Sequence, residues 1–199
     1  LAQATERMRY RATQLQTAAE VARAAASLLD VQQLLPLVTK LIAERFGFYH
    51  VGIFLLDEQG EYAVLRASNS EGGQRLLARG HQLQVGQVGI VGHVTGAGEP
   101  RIALDVGRDA VYFDNPDLPH TRSEMALPLL VRGRVIGALD VQSTQEAAFT
   151  EDDVALLTTL ADQIAIAIAN ARSYQEQAKL ADENRRLFEE AQQAAERQK

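Results

Sequence analysis

Two heptad-like patterns of apolar residues, one near each end of the chain, flank a central region that contains every glycine. Apolar or small residues recur at alternating spacings of three and four from Leu1 to Leu29 and again from Leu160 to Ala195. This spacing keeps one face of an α-helix turned toward a partner helix. All 14 glycines fall between Gly47 and Gly137. The pattern therefore predicts a compact central domain between two long helices.

The first flanking helix is followed by a second, shorter amphipathic helix. Apolar residues at helical spacing cover residues 34–42, and Asp30 and Gly47 are suitable residues for the two ends of that helix. Pro36 lies too deep for a first-turn proline, so we expect the helix to begin near residue 34 or to kink there.

Two hairpins are predicted from strand-like runs. Residues 49–56 and 62–67 flank one turn, and residues 124–130 and 134–142 flank another. Both alternating sets of residues in the first strand are apolar, so we expect this strand to lie centrally in its sheet with both faces covered.

The region between the hairpins has little regular periodicity. Glycines surround a short predicted helix near residues 90–94, and a brief strand at residues 101–104 precedes a loop that reaches residue 122. Thr150 and Asp153 then form a capping-box-like start for the last helix, with Asp in place of the usual Glu.

The composition of the chain excludes several classes of function and indicates none. The 199 residues carry a net charge of −6, scattered Lys and Arg, and no cysteine. No basic stripe favours nucleic acid, and no apolar run approaches the roughly 18 residues of a membrane span, so we expect neither partner. The absence of a signal-peptide core favours a cytoplasmic location. Disulfides, thiolate metal sites, cysteine nucleophiles and thioether-linked cofactors are excluded.

Possible phosphate and metal sites have simpler explanations. The glycines at positions 86, 89 and 92 lack the spacing and the following Gly-Lys of a phosphate loop, so tight turns and close packing explain them better. A candidate metal set consists of Asp114, Asp117, His120 and Glu124. Ordinary turn residues in a solvated loop explain this cluster as well, and we expect no haem, metal or other cofactor.

A resemblance to the GAF domain of bacterial signalling proteins is carried by three segments. They read GQVGIVGHVTGAGEPRIALDV, TRSEMALPLLVRGRVIGALDVQS and AFTEDDVALLTTLADQIAIAIANARSY. The resemblance spans roughly residues 21–174. It implies an α+β fold with an antiparallel sheet of five to six strands and helices on both faces. It also implies a ligand pocket opposite the terminal helices, in a sensory module of a histidine kinase or related transducer.

The resemblance also bears on activity. Enzymatic members of the family reduce methionine sulfoxide with cysteines, and bilin-binding members attach their chromophore through cysteine; this chain has none. The Asn-Lys-Phe-Asp-Glu set of cyclic-nucleotide-binding members is not found here. We therefore expect a non-enzymatic sensory module that binds an unknown small molecule. A structural spacer without a ligand, and a non-covalent haem or metal sensor, remain the alternatives.

The expected organisation has three parts. Residues 1–30 form an N-terminal helix that is partly coiled coil, residues 31–172 the sensory domain, and residues 173–199 a C-terminal coiled-coil helix that leads to an effector domain in the same parent chain. We expect a parallel homodimer. Its predicted seam comprises Leu15, Ala18, Leu160, Ile164, Ala171, Tyr174, Ala178, Ala181 and Phe188.

A ligand pocket is predicted under the glycine- and proline-rich middle region, because a central strand with two apolar faces needs a cover on each. Arg122 and Glu124 are its expected polar anchors, unless they form a structural ion pair. Tyr112 and Phe113 either line the pocket or plug it. The full predicted lining is Phe54, Ala67, Ile102, Asp105, Tyr112, Phe113, Arg122, Glu124 and Ala126.

Overall fold

A computed structural model describes residues 2–109 and 111–196 of the chain. Its helices are α1 (Ala2–Ala26), α2 (Val31–Phe46), α3 (Glu71–Ala78), α4 (Gly89–Ala97) and α5 (Glu151–Glu196). Its strands are β1 (His50–Leu56), β2 (Tyr62–Ser68), β3 (Gln82–Gln84), β4 (Arg101–Ala103), β5 (Ser123–Val131) and β6 (Arg134–Ser143). Leu1 and residues 197–199, at the far ends of the predicted coiled-coil helices, lie outside the described residues.

The strands form one antiparallel sheet in the order β3-β2-β1-β6-β5-β4. The predicted α+β architecture is confirmed, with six strands and helices on both faces. As the two apolar faces of β1 predicted, this strand lies inside the sheet between β2 and β6.

The predicted caps of helix α2 are confirmed, whereas the later start near residue 34 is not. The Asp30 side chain accepts a hydrogen bond from the backbone N–H of Gln32 (2.9 Å), and Gly47 ends the helix in the left-handed conformation with φ of 74°. The helix starts at Val31 rather than near residue 34, because the cap fixes the first turn and Pro36 inside the helix removes only one backbone donor.

Helix α3 and strand β3 were missing from the prediction. Two consecutive glycines in α3 lower its helix propensity, which hides the helix in the sequence. The fold requires them: a Cβ on Gly72 would collide with the carbonyl oxygen of Asp117, and one on Gly73 with the side chain of Ser68.

The sheet separates two hydrophobic cores. Helices α1, α2 and α5 cover one face and enclose the larger core, which we call the helix-side core; α3, α4 and the loop after β4 cover the other and enclose the smaller, pocket-side core. Alternate residues of the same strands supply both, because successive side chains of a strand point to opposite faces. In β6, Leu139 and Val141 lie in the helix-side core and Ala138 in the pocket-side core.

Helix α5 belongs to the domain and also continues past it. Leu157, Leu160, Ile164 and Ile168 are buried against the sheet. Part of this helix is apolar and long enough, by composition alone, to cross a membrane, which the sequence analysis did not anticipate. Helices buried in a protein core share that composition, and much of this stretch is buried. After Ala171, every side chain described as far as Gln193 is exposed; we call residues 172–196 the C-terminal rod.

Candidate functional site

A small cavity lies between the sheet and the loop that follows β4, on the side opposite the long helices. We call residues 105–122 of that loop the cover segment, of which all but residue 110 are described. The cavity has a volume of about 30 Å³. It is lined by His50, Phe54, Leu76, His81, Leu83, Gly89, Ile90, Val91, Tyr112, Phe113, Asn115, Leu118, Glu124, Asp140 and Gln142.

The polar floor of the cavity comes from three neighbouring strands. His50 of β1 pairs in register with Gln142 of β6, which in turn pairs with Glu124 of β5. One row further along the sheet, Asp140 lies between Gly52 and Ala126. Because residues two apart on a strand point to the same face, all four polar side chains share one face, and the small residues beside Asp140 leave space above it.

Hydrogen bonds connect this floor to the cover segment. The amide Nε2 of Gln142 donates to Asp140 Oδ2 (2.7 Å), and the hydroxyl of Thr121 donates to Gln142 Oε1 (2.6 Å). Gln142 therefore links an acid of the sheet directly to the end of the cover segment. A change in the state of Asp140 can reach that segment through a single side chain.

His50 is a neutral member of the floor. Its Nδ1 lies 2.6 Å from the hydroxyl of Ser70, which itself accepts the backbone N–H of Gly73 (3.0 Å) at the start of α3. On the other side of the ring, Nε2 lies 3.7 Å from Asp140 Oδ2. Burial lowers the pKa of His50 to about 4, and the neighbouring His81 adds to that effect.

The two acids form a buried pair. Burial raises the pKa of Glu124 well above its usual value, and the charge of Asp140 raises it further. Burial also raises the pKa of Asp140 to about 7, although hydrogen bonds from Gln142 and Glu124 oppose this change. Two buried carboxyls this close favour a state in which they share a proton. Within the described part of the chain, Asp140 Oδ1 has no hydrogen-bond donor unless Glu124 holds that proton.

Ion pairs hold the cover segment over the cavity. Arg101 of β4 contacts Asp109 at 3.0 Å, and Asp117 contacts both Arg75 of α3 at 3.0 Å and Arg79 at 2.6 Å. Between these anchor points Tyr112 and Phe113 form the outer wall of the cavity. Burial raises the pKa of Tyr112 to about 12, with the carboxyls of Glu124 and Asp114 adding to the effect. Tyr112 is therefore a neutral phenol at physiological pH.

A family model described as GAF domain matches residues 28–169. The chain belongs to the GAF domain family. Among curated proteins, it is 28% identical over 123 residues to GAF domain-containing protein A of Dictyostelium discoideum, covering 62% of this chain and 72% of that protein.

Solved structures share the fold of this GAF domain. The GAF domain of a phosphoenolpyruvate-protein phosphotransferase from Coxiella burnetii superimposes with a TM-score of 0.74 at 23% identity, covering 83% of this chain and 98% of that one. Free methionine-R-sulfoxide reductase from Neisseria meningitidis gives 0.72 at 23% identity, with 83% and 93% covered. At this identity the likeness establishes the fold alone.

Four of the nine predicted pocket residues line the cavity, namely Phe54, Tyr112, Phe113 and Glu124. Ala126 is buried on the same face, beside Asp140, but does not line the cavity. Tyr112 and Phe113 fill much of the space that the prediction gave to a ligand. Pockets that hold a drug-sized molecule have volumes of about 300 Å³ or more, so this cavity is too small for such a molecule.

The other four predicted lining residues lie elsewhere, and the prediction is wrong for them. Ala67 and Ile102 pack in or against the helix-side core, because their strand positions alternate away from the cavity. Asp105 accepts the backbone N–H of Gly107 (3.1 Å), at a short 3₁₀ turn. Arg122 is exposed and pairs with Glu146 at 2.5 Å, so it forms neither a pocket anchor nor an ion pair with Glu124.

The sequence analysis missed His50, Asp140 and Gln142 as a connected site. The available signal was polar residues at one alternating position of otherwise apolar strands: Asp140 and Gln142 interrupt β6 at positions that share a face with Ala138. A charged residue at an inward strand position costs free energy of folding unless it is paired and hydrogen-bonded, so its presence there is a signal of a polar site. Finding His50 needs the pairing of β1 with β6, which local pattern does not supply.

The candidate metal set is not brought together. Asp117 is engaged by two arginines, and Glu124 faces the cavity, whereas His120 is exposed and meets the ring of Tyr49 edge-on. Within the described part of the chain no group of three or more His, Cys, Asp or Glu side chains could hold a metal ion.

The glycine series serves packing. A Cβ on Gly92 would lie 2.5 Å from the carbonyl oxygen of Gln84, and one on Gly96 would lie 2.6 Å from the Cα of Gly86. Helix α4 can approach β3 and the following turn this closely only with glycine at these positions.

The predicted seam residues fall into two groups. Leu160, Ile164 and Ala171 are fully buried in the helix-side core, so they cannot also face a partner helix, and the seam prediction is corrected for them. Leu15, Tyr174, Ala178, Ala181 and Phe188 are exposed, and Ala18 is half-buried. Whether the exposed positions meet a second chain remains a prediction.

Proposed function

We propose that this GAF domain is a non-enzymatic regulatory module of a cytoplasmic signalling protein. It binds a small molecule beneath the cover segment and transmits the change through a parallel pair of α5 helices to an effector domain in the same parent chain. The observation that carries the proposal is the continuity of α5. One helix supplies buried residues to the helix-side core as far as Ala171 and then continues as an exposed rod without a break.

Because α5 continues without a break, no flexible linker separates the domain from the C-terminal rod. Leu157 and Leu160 pack against the sheet whose other face forms the floor of the cavity. A shift of β5 or β6 that accompanies binding therefore acts directly on the helix. A rigid element with two arrangements is the physical means by which sites at a distance are coupled.

The surface of α5 suggests how a second copy of the chain fits. Exposed residues, most of them apolar or small, follow a seven-residue repeat on one side of the helix, and this side is exposed on the domain as well as on the rod. We call it the exposed stripe; it comprises Ile166, Asn170, Ser173, Tyr174, Gln177, Leu180, Ala181, Asn184, Leu187, Phe188 and Ala191.

The exposed stripe is a better candidate seam than the one predicted from the sequence. Ile166, Leu180 and Leu187 expose about half of their surface to solvent (47%, 54% and 52%). The predicted seam instead leads back into Ala171 and Ile164, which the sheet already covers. Asn184 in the middle of the stripe is the kind of polar residue that fixes register in parallel pairs at a cost in stability.

Cysteine cross-linking tests the parallel pair, since the chain has no cysteine of its own. In a parallel pair equal positions face each other, so Ala181→Cys on the exposed stripe should form an intermolecular disulfide rapidly at low protein concentration. Lys179→Cys is the matched control: two residues earlier is about 200° round the helix, on the far side of the rod. Equal cross-linking of both variants, or of neither, would contradict the proposal; non-reducing electrophoresis distinguishes these outcomes.

The enzymatic alternative has its own assay. Family members that reduce methionine sulfoxide use cysteine, and this chain has no thiol. Incubation with free methionine-R-sulfoxide and a thiol reductant should therefore give no methionine above the protein-free rate. Turnover that follows protein concentration would show the chain to be an enzyme.

A structural spacer is the second candidate function, and the size of the cavity favours it. A volume of about 30 Å³ holds one or two waters. Mass spectrometry of the protein purified under native conditions, with thermal-shift measurements, separates the two. A ligand that binds only the folded chain raises the melting temperature in a concentration-dependent way; the spacer predicts no bound mass and no such rise.

A further inference from the structure

The chemistry of the cavity restricts what it can bind. Among the described residues no lysine or arginine lines the cavity, and the acids Glu124 and Asp140 form its floor. The two lining histidines are not cationic partners: His50 is neutral, and burial with the nearby Arg79 lowers the pKa of His81. A phosphate or carboxylate group would therefore enter a site with two buried acids and no lining cation, which electrostatics disfavours.

Charges behind the wall of the cavity are already engaged. Asp109 is held by Arg101, and Asp117 by Arg75 and Arg79. Among the remaining titratable groups that face the pair, Tyr112 keeps its proton and Asp114 is exposed on the cover segment. None of these groups offers a positive charge to Glu124 or Asp140.

One buried oxygen lacks a donor. Asp140 is 2% exposed. Its Oδ2 accepts a hydrogen bond from Gln142, whereas its Oδ1 has no hydrogen-bond donor among the described residues. A buried acceptor without a donor is costly. A proton shared with Glu124 can supply the hydrogen that this oxygen lacks. A ligand that brings its own N–H donors can take the place of that proton.

Aromatic rings surround the approach to the acids. His81 lies with its ring centre 6.2 Å from that of Phe54 and 6.3 Å from that of Phe113, and Tyr112 completes the wall. Aromatic faces beside carboxylates suit an organic cation, which the ring quadrupole attracts. Phe113 remains 42% exposed, so an alkyl chain has a path along this ring to solvent.

We propose, on the basis of the ligand-binding function above, that the cavity takes the ammonium or guanidinium group of a small organic cation in exchange for the proton that Glu124 and Asp140 share. The volume of about 30 Å³ matches a head group of this size. An ammonium group has three donors and no acceptor, which complements carboxylate oxygens. One cation enters, one proton leaves to solvent, and the charge of the site is unchanged.

The test uses three probes of equal chain length: propylammonium chloride, 1-propanol and sodium propionate. Binding is followed by chemical-shift changes of the His50 and His81 ring resonances, and proton release by titration at constant pH. We expect propylammonium alone to bind, with release of about one proton and an affinity that rises up to about tenfold per pH unit below pH 7. His50 stays neutral over most of this range, so the pH dependence belongs to the acids.

Variants decide which groups act. Glu124→Gln and Asp140→Asn should each weaken propylammonium binding at least tenfold and abolish the proton release, while cooperative thermal unfolding shows that both variants are folded. Glu146→Gln, an exposed carboxyl far from the cavity floor, is the matched control and should bind as the unaltered protein does.

Three outcomes overturn the proposal: propanol or propionate binds as well as the cation, binding releases no proton, or no probe binds. In the first case a ligand function survives with a different ligand class. The relay function is tested separately by cross-linking at position 181, so its failure and the failure of the cation assignment are distinguishable.

Discussion

The two faces of the sheet are built from alternate residues of the same strands, yet they differ in kind. Toward the long helices, Met125, Leu127 and Leu139 are fully buried among apolar neighbours. Toward the cover segment, the alternate positions of β5 and β6 hold Glu124 and Asp140 beside small residues. One face contributes stability through burial, and the other carries the electrostatic cost of two buried acids.

The difference indicates a division of work within a single sheet. Substitutions on the helix side should change the free energy of unfolding at any pH. Those on the pocket side should change how that free energy depends on pH and on cations.

Leu139→Ala should have the largest effect on stability. The side chain is fully buried in the helix-side core, so its removal leaves a cavity and should lower the free energy of unfolding by about 2 to 5 kcal/mol. Urea denaturation measures this. Leu104→Ala, a 48% exposed leucine outside both cores and outside the exposed stripe, is the control and should change it by less than about 0.5 kcal/mol.

Asp140→Asn should change the pH dependence of stability. Folding raises the pKa of Asp140 from 3.8 to about 7, so its contribution to stability is greatest below pH 4 and is lost as the pH rises to 7. The free energy of unfolding of the variant relative to the unaltered protein should therefore increase between about pH 4 and 7, by on the order of a few kcal/mol.

Between about pH 4 and 6.5, His50 affects the pH dependence of stability in the opposite direction from Asp140. Its pKa falls on folding from 6.5 to about 4, so its contribution is present above pH 6.5 and lost as the pH falls. His50 is present in both the unaltered protein and the Asp140→Asn variant. The difference between their free energies of unfolding, measured by urea denaturation, therefore reports the contribution of Asp140. If the free energies of unfolding of the two proteins depend on pH in the same way from pH 4 to 8, folding does not raise the pKa of Asp140.

Gly92→Ala should destabilise the pocket side by about 1 to 3 kcal/mol, since the added Cβ would lie 2.5 Å from the carbonyl oxygen of Gln84 and α4 must move away. Gly107→Ala is the matched control. Its Cβ would meet only Asp105 Oδ1 at 3.4 Å, and both substitutions restrict the unfolded chain equally. Thermal unfolding compares the two; equal melting temperatures would argue against close packing of α4.

Arg122→Ala should have the smallest effect. Its guanidinium is 60% exposed and pairs with an exposed Glu146, a kind of ion pair that contributes less than about 1 kcal/mol. Propylammonium affinity should stay within twofold of the unaltered protein. A larger loss of binding would restore Arg122 as the pocket anchor that the sequence analysis expected.

Much of the fold was readable from local pattern. The two apolar faces of β1 predicted its interior place, and Thr150 and Asp153 form the predicted capping box, with the Asp153 N–H donating to the Thr150 hydroxyl at 3.3 Å. Helix α3 was not predicted because its glycines are required by a tertiary contact with Asp117, and local helix propensity does not reveal such a contact.

Local pattern in the sequence predicted the long helices and the strands of the two hairpins, because these elements depend on residues near one another in the chain, and composition alone excludes cysteine chemistry. Helix α3 and strand β3 became apparent only in the folded structure. The tertiary structure decided which polar groups meet. Pairing of β1 with β6 and of β6 with β5 places His50, Asp140 and Glu124 on one face, and the same burial that gives Leu160 to the core removes it from the seam. Strand register and packing join residues distant in the chain, so the site and the exposed stripe exist only in the folded molecule.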